Sequence, residues 1–554
     1  MRALSLFVAA IVLITGVLFA GTTGKIAGTV VDSRTGEPLP SVNVTIVGTT
    51  LGGSTNIDGY FVILNVPPGR YRLQASLVGY KTTSAADVRV DIDQTTTQNF
   101  RMTEEAVTGE EVTVIASRPV VQRDVAASRA NIEIKDVEKL PVTTVVGAVG
   151  LQAGVQGLSV RGGLGSELAF IVDGSMMRDE RTNAPYTSVS LLSVQDIQVT
   201  TGGFSAEYGN VRSGIVNVVT KEGSKSGYSI AFQGRYSGEA PKHFGPSIYD
   251  QNSYWIRPYV DPAVCWTGTQ NGAWDQWTLQ QYPSFQGWNA ISQRYLTNSD
   301  PTDDLTPEAL QRLFLFQRRK VAEITKPDYD ADMAFGGPVP FVGDYTGNLR
   351  FFASYRTLQN MYLVPLSADA YRDNTASIKL TSDISPVMKI TAEVMSGKTW
   401  GTNSTNSGAP GLFQTPTDIA NVMDRVSYID TRIFATDYWA PSSINYHSYS
   451  VKFSHAPSAN TFYDASLSVF SSVYNTNPGS LRDTSRVYKF GNSYYVDEAP
   501  FGFEYLPSPA SGLEGIRFGV GFSNSRDTSV TTSYSLRFDL TSQLDKYNQI
   551  KTGA

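Results

Sequence analysis

Few residues in this chain have the chemistry of a hydrolytic or metal-dependent active site. The 554 residues include three histidines, His243, His447 and His455, and one cysteine, Cys265. The sequence has no paired histidines at zinc-ligand spacing, no Gly-x-Ser-x-Gly turn with a suitable histidine partner and no isolated pair of carboxylates. We therefore expect no enzymatic activity, no metal site, no cofactor and no internal disulfide.

Aromatic residues offer a different chemistry, the stacking of flat rings against a ligand. Residues 238–327 hold five of the seven tryptophans in the chain. Rings that expose one face stack on sugars or apolar ligands, while neighbouring Asn, Gln and Asp side chains supply hydrogen bonds. The competing explanation is that the rings form a small core of this segment or part of an aromatic belt at a membrane surface. The candidate ligand-binding residues are Trp255, Trp266, Trp274, Trp277 and Trp288.

Glycine-punctuated turns organise the middle of the chain. In residues 202–221, several glycines precede the β-branched run Ile215–Val219, which is short enough to be one buried strand. Upstream, Val160-Arg161-Gly162-Gly163 and Ile171-Val172-Asp173-Gly174 each predict a strand that runs into a glycine-dependent turn.

These three pieces, in this order, resemble the motifs of the plug domain of TonB-dependent outer-membrane transporters, a small domain that closes a large barrel. The resemblance covers residues 119–224 and implies an α/β plug. It also implies that Arg161, Glu207 and Arg212 lock the plug to the barrel wall as a releasable latch, and the alternative is that they are solvated surface charges. The motif positions are Arg161, Gly162, Gly163, Asp173, Gly174, Gly202, Gly203, Glu207, Tyr208, Gly209, Arg212, Ser213, Gly214 and Asn217.

Local patterns predict the elements of this domain. A short helix is expected at 136–141, stopped before Pro141, and a second helix within 142–152. Strands are expected near 158–161, 168–172 and 197–201.

Residues 21–105 alternate apolar and polar positions between frequent turns, which predicts a β-sandwich of about seven short strands. The landmarks Asp58-Gly59-Tyr60-Phe61 and Pro68-Gly69-Arg70-Tyr71 resemble the carboxypeptidase-regulatory-like domain found in front of such transporters. The resemblance implies a structural or partner-docking role. Because this fold is also classed with carbohydrate-binding-like sandwiches, a sugar contact is the alternative.

Residues 106–118 predict a polar linker that leads into an extended segment. The segment resembles a TonB box, which pairs as an added strand with an edge of the TonB-type energy transducer in the periplasm. It also fits the first strand of the plug, and the two interpretations are compatible. Its residues are Glu111, Val112, Thr113, Val114, Ile115 and Ala116.

Residues 225–554 predict the first part of an antiparallel transmembrane β-barrel surrounded by outer-membrane lipid. Strands of about ten residues alternate between long and short connections, as in outer-membrane barrels. Barrels of the resembled family close with about 22 strands, whereas eight or nine are expected here, so we expect an incomplete barrel. The expected strands are 227–237, 328–337, 347–358, 373–384, 387–398, 446–456, 460–474, 530–542 and one that begins at 547.

Within the first long loop, Thr306-Pro307-Glu308 precedes an apolar pattern that includes Leu310, Leu313 and Phe314. This predicts a capped amphipathic helix packed against the aromatic rings.

The first 20 residues predict a signal peptide, because an apolar run from Leu4 to Ala20 follows Arg2. For an exported chain, the resemblance implies that residues 21–105 lie in the periplasm and that the plug and barrel lie in the outer membrane of a Gram-negative-type bacterium.

The sequence thus predicts a mainly β protein with a sandwich, an α/β plug and part of a barrel. The implied function is a TonB-dependent receptor that imports a bulky nutrient (a glycan, a peptide or a metal chelate) with energy from the inner-membrane proton gradient. The alternative is a non-transporting surface protein for binding, adhesion or signalling. Expected partners are the transducer, lipid, an extracellular ligand and a surface lipoprotein cap. Nucleic acid is not expected, because the net charge is −6 and no Lys/Arg-rich block occurs.

Overall fold

The structure is a computed structural model. It describes residues 22–104, 112–115, 128–137, 140–204, 211–299, 301, 304–320, 322–404, 411–423, 434, 439–477, 485–492, 494–497 and 525–554. The signal peptide expected at residues 1–20 lies outside this set.

The N-terminal domain is a two-sheet sandwich around one apolar core. One sheet has the order β4-β1-β7, with β8 also paired to β1, and the other has the order β3-β2-β5-β6-β9. Ile26, Phe61 and Leu73 are among the fully buried core residues. The strands are β1 Gly24–Asp32, β2 Asn43–Ile46, β3 Gly52–Ser54, β4 Tyr60–Val66, β5 Gly69–Ser76, β6 Thr83–Val90, β7 Thr95–Thr97, β8 Phe100–Met102 and β9 Val112–Ile115.

The predicted sandwich is confirmed, but it has more strands than the seven expected. The extra strands are short, since β3, β7 and β8 have three residues each, and too few alternations to be recognised from sequence. The strand β9 comes from the segment that we expected to be a linker. The domain boundaries expected from the sequence stay a prediction.

The plug is a five-stranded mixed sheet with the order β10-β15-β16-β13-β14. Its central strand β16 is buried along its whole length, as the run of β-branched residues predicts. Short helices at Ile134–Val137 and Val145–Val149 cover the sheet, close to the two predicted helices. The strands are β10 Ser128–Glu133, β11 Val155–Gln156, β12 Ser159–Val160, β13 Leu168–Val172, β14 Ser175–Met176, β15 Val194–Gly202 and β16 Gly214–Thr220.

The C-terminal part forms a nine-stranded antiparallel sheet, called the wall here, in which each strand pairs with the next in the order β17-β18-β19-β20-β21-β22-β23-β26-β27. Every wall strand predicted from the sequence is confirmed in its predicted place. The strands are β17 Ser229–Ser237, β18 Asp328–Pro338, β19 Arg350–Met361, β20 Ala370–Ser385, β21 Met388–Thr402, β22 Pro441–Ser458, β23 Thr461–Thr476, β26 Val530–Gln543 and β27 Gln549–Gly553. A separate hairpin pairs β24 Val487–Lys489 with β25 Tyr495–Asp497.

The two faces of the wall differ in polarity because side chains alternate along each strand. Ile378, Val394, Tyr449, Val469 and Tyr534 are successive register partners across five strands and form an apolar row. Tyr534 is 76% exposed in this row. The neighbouring row faces the plug and carries polar residues, as the following sections describe. One face of the wall is therefore polar and faces the plug, and the opposite face is apolar and exposed.

Short connections join the strands at one rim of the wall and long connections join them at the other. Two-residue links follow β20 and β22, whereas residues 238–327 join β17 to β18 at the opposite rim. Helices occur in the long connections at Arg257–Val260, Gln276–Gln281, Trp288–Leu296, Pro307–Gln317 and Pro416–Met423.

In the described ranges, no helix has both the length and the apolar character needed to cross a bilayer.

Candidate functional site

The glycine motifs of the plug lie side by side where β12 meets the start of β16. A Cβ atom on Gly163 would lie 2.3 Å from the Cβ atom of Ser213, and one on Gly214 would lie 2.8 Å from Val160. A larger residue at either glycine would force β12 away from β16. Further along β16, the buried Asn217 is the register partner of Gln198.

The turn between β13 and β14 brings Asp173 to the wall. Both Asp173 and Gly174 have positive φ, 49° and 89° respectively, so the chain reverses within two residues. The Nζ atom of Lys379, on β20, donates to Asp173 Oδ1 at 2.8 Å. It also donates to the hydroxyl of Thr220 at 2.8 Å and to the carbonyl of Thr220 at 3.1 Å.

This contact is an ion pair removed from water. Lys379 is 7% exposed, and its register partner on β21, Glu393, is 8% exposed. Thr220 completes the arrangement, because both its N–H group and its hydroxyl donate to Asp173. A buried ion pair of this kind holds firmly while both partners are present, and it becomes costly when one partner is withdrawn.

A second contact joins the turn before β15 to the wall. The Ser190 hydroxyl donates to Asp332 Oδ1 at 2.6 Å, and the backbone N–H of Leu192 donates to Asp332 Oδ2 at 3.2 Å. One wall carboxylate on β18 thus caps the short 3-10 helix Leu191–Ser193 of the plug. Close by, the Ser188 hydroxyl donates to Asp373 on β20.

Tyr186 makes the third contact, which is aromatic. Its ring lies 4.8 Å from that of Tyr446 and 5.3 Å from that of Phe470. Its hydroxyl is 3.2 Å from the hydroxyl of Tyr474. Burial raises the pKa of Tyr186 well above its usual range, so the hydroxyl stays neutral in this contact.

Near the rim with short connections, Glu222 follows the plug strand β16 and binds two cations of the wall. Arg350 Nη2 lies 2.6 Å and Lys389 Nζ lies 3.0 Å from the Glu222 carboxylate. Arg350 also pairs with Asp383 at 3.1 Å. The chain therefore leaves the plug beside a cluster of residues with charges of both signs.

The latch expected at Arg161, Glu207 and Arg212 stays a prediction. Arg161 and Arg212 are exposed and form no ion pair with any residue that the structure describes. Glu207, with Tyr208 and Gly209, lies outside the described residues. Among the motif residues that are described, Asp173 is the one that forms an ion pair with the wall.

The sandwich docks on the plug through the edge strand β10. Glu133 accepts hydrogen bonds from Arg70 at 2.7 and 2.8 Å and from Arg89 at 3.1 Å. The Arg70 hydrogen bonds hold the pKa of Glu133 below its usual range. At the other end of β10, Arg129 pairs with Asp93 of the sandwich at 2.7 Å.

A buried carboxylate lies in the same interface. Asp196, on β15, is 4% exposed and accepts a hydrogen bond from the backbone N–H of Ile92 at 3.4 Å. Burial and the neighbouring Asp91 raise the pKa of Asp196 to about 7, although Arg89 opposes the shift. The Gln198 amide donates to the Ile92 carbonyl at 2.6 Å and closes the contact.

The segment expected to be a TonB box is described only in part. Residues 112–115 form β9, which pairs in parallel with β6 of the sandwich. Glu111 and Ala116 lie outside the described residues. Pairing of this segment with a transducer stays a prediction.

The tryptophans of the first long loop mostly form that loop's own core. Trp288 is fully buried and donates to the Tyr259 carbonyl at 2.8 Å. Trp274 is 8% exposed and donates to Asp261 at 3.0 Å. Neither indole has a free face for a ligand, so the loop-core explanation holds for these two. Trp255 and Trp266 pack against the buried cluster that contains Trp288. Trp277 differs, because 73% of its surface is exposed.

The capped helix expected in this loop is confirmed as Pro307–Gln317, with Thr306 as its N-cap. The Thr306 hydroxyl accepts from the Ala309 N–H at 3.3 Å. On the buried face, the Phe314 ring lies 4.4 Å from that of Tyr259 and 5.6 Å from that of Trp288.

Lys379, Asp332 and Arg350 are contact residues that the sequence analysis missed. Each is a charged residue on the inward face of a wall strand, and this pattern is the signal that could have found them. In the described part of the chain, no group of three or more His, Cys, Asp or Glu side chains is arranged to hold a metal ion.

Parts of the chain are similar to known proteins. Residues 26–114 match the model of the CarboxypepD_reg-like domain. The chain is 26% identical to the TonB-dependent transporter Oar of Myxococcus xanthus over 228 residues, which are 38% of this chain and 21% of that protein. It is 32% identical to the TonB-dependent receptor P26 of Formosa agariphila over 230 residues, 37% of this chain and 21% of that protein.

Among solved structures, the siderophore receptor PirA from Acinetobacter baumannii aligns with 77% of this chain and 47% of its own, with 13% identity and a TM-score of 0.41. The matched stretch spans about a fifth of the length of the curated relatives.

The fold defines a class of architecture, in which an α/β domain is held against the polar face of an antiparallel sheet whose opposite face is apolar. Within this class, the chain is similar over 37–38% of its length to TonB-dependent transporters and receptors, and its residues 26–114 match a CarboxypepD_reg-like domain.

Proposed function

We propose that this chain belongs to a TonB-dependent receptor that imports a bulky nutrient across the outer membrane. The observation that supports it most is the buried pairing of Asp173 with Lys379, through which a plug domain is fixed to the wall. A stopper held by a few polar contacts closes a pore and still separates when it is pulled, because each contact fails once its partner is withdrawn.

The energy for this step comes from the inner-membrane proton gradient, delivered by a TonB-type transducer that engages the segment 111–116. Strand addition suits the task, since several main-chain hydrogen bonds share the load. The ligand is a glycan, a peptide or a metal chelate. The exposed ring of Trp277 is the residue that we assign to ligand stacking, because its face is free.

Uptake by cells that produce the protein tests the proposal. Labelled oligosaccharides, peptides and ferric chelates are offered one class at a time, with and without a protonophore. Import of one class should collapse with the protonophore and also when residues 111–116 are deleted. Surface binding that persists without import under all conditions would show instead a non-transporting binding or adhesion protein.

A further inference from the structure

The described part of the coupling segment is already paired inside the chain. β9 lies beside β6 in parallel, with the register Thr83 to Val112, Ser84 to Thr113, Ala85 to Val114 and Ala86 to Ile115. The preceding residues run along the same edge, because Lys81 donates its N–H to the Thr103 carbonyl at 2.9 Å and Tyr80 bridges Glu104.

This pairing has the features of a releasable contact. β9 has four residues, and parallel pairing is slightly weaker per residue than antiparallel pairing. Among the described residues, β9 is the terminal strand of its sheet, so it is held from one side only. An edge strand of this length exchanges for another strand more easily than an internal strand does.

We propose that the sandwich is a sequestering domain: the edge of β6 stores the coupling segment until an extended strand of the transducer replaces β6 as its partner. The inference rests on the proposed function, since it assigns the sandwich the task of limiting access to the energy source. One edge of the coupling segment can pair with only one strand at a time. Pairing of that edge with β6 therefore excludes its pairing with the transducer.

The same strand also holds the plug, which gives the storage site a second consequence. Arg89, on β6, donates to Glu133 of the plug edge strand at 3.1 Å. Arg70, on the adjacent β5, donates to the same carboxylate at 2.7 Å. The stored segment and the plug therefore both contact β6. A pull by the transducer that removes β9 also exerts force on β6, the strand that holds the plug.

A disulfide across the register tests the storage site. Register partners on neighbouring strands lie about 4.8 Å apart, within the range that a disulfide spans. The test variant carries Ala86→Cys with Ile115→Cys, and Ala86 is only partly buried. The matched control carries Val47→Cys with Ile115→Cys, because Val47 follows β2, which β5 and β6 separate from β9. Cys265 is buried and stays unchanged in both.

We expect the test pair to oxidise in the full chain and the control pair to stay reduced. Protonophore-sensitive uptake by the test variant should fall at least tenfold on oxidation and return with a reductant. A missing disulfide, or a complete disulfide with unchanged uptake, would overturn the proposal. If the unaltered chain shows no protonophore-sensitive uptake, the proposed function fails, whatever the disulfide result.

Hydrogen exchange on the unaltered chain gives a test that needs no substitution. The backbone amides of residues 112–115 should be protected in the purified full chain and lose protection when the periplasmic C-terminal part of a TonB-type transducer is added. Exchange at the rate of an unstructured peptide before the addition would refute storage. Protection that persists after the transducer has bound would show that it adds to β9 without displacing it, which also contradicts the proposal.

Discussion

The carboxylate of Asp173 lies 2.8 Å from the ammonium group of Lys379, although 206 positions separate the two residues in the sequence. One belongs to a glycine turn of the plug and the other to a wall strand, and both are shielded from water. One of the contacts that attach the plug to the wall is therefore a buried ion pair, in which each charge loses its counter-charge when the other is withdrawn.

Substitution of Lys379 by Met should lower the free energy of unfolding by about 3–5 kcal/mol, because it leaves the Asp173 carboxylate buried without a cation. The double variant Asp173→Asn with Lys379→Met should recover part of this loss. Denaturant unfolding of the protein in detergent measures both.

A matched control breaks the exposed pair between Lys326 and Asp369, whose atoms are 2.6 Å apart. Lys326→Met should change the stability by less than about 1 kcal/mol. Equal effects of the two lysine substitutions would contradict a special role for the buried pair.

The interface between sandwich and plug should weaken as the pH rises from about 4 to 7. The pKa of Asp196 is about 7 in the folded protein, because the carboxyl group is buried beside Asp91, and an unfolded Asp titrates near about 3.9. Across this window the folded state keeps a proton that the unfolded state has lost, so the stability falls as the pH rises.

Asp196→Asn removes this titration and should flatten the pH dependence of unfolding between about pH 4 and 7. The comparison is made by thermal unfolding of both proteins at each pH. Parallel pH profiles for the two proteins would rule out Asp196 as the titrating group.

Trp288→Ala should destabilise the first long loop by about 3–5 kcal/mol, since it empties a fully buried site in the loop core. Trp277→Ala should leave the stability within about 0.5 kcal/mol, because that ring is exposed. Proteolysis of the loop and thermal unfolding report the difference. If Trp277 stacks on the ligand, its substitution should lower ligand binding while the fold is unchanged.

Tyr186→Phe should cost about 0.5–1.5 kcal/mol, because it removes only the hydroxyl contact with Tyr474. Tyr186→Ala also removes the ring contacts with Tyr446 and Phe470 and should cost about 3–5 kcal/mol. Denaturant unfolding separates the two values. A Phe variant as unstable as the Ala variant would show that the hydroxyl, rather than the ring, carries this contact.

Local patterns predicted the elements of the fold well. The strand Leu168–Val172 and all nine wall strands lie where alternation and turn residues placed them. These features depend on neighbours in the sequence, so one sequence is enough to recognise them.

The contacts between elements could not be predicted in the same way. Nothing near Lys379 in the sequence identifies Asp173 as its partner, and nothing near Val112 indicates that β6 would pair with it. The tryptophans show the same limit, because composition reveals how many rings a loop has but not which of them, such as Trp277, keeps an exposed face.

The cap that Asp332 provides for Ser190 and Leu192 has a consequence for biogenesis. The N–H group of Leu192 finds its acceptor on the wall, whereas Ser190 caps the same turn from within the plug, so the turn is fully hydrogen-bonded only when the plug is seated. The last hydrogen bonds of this turn therefore form only when the plug docks against β18.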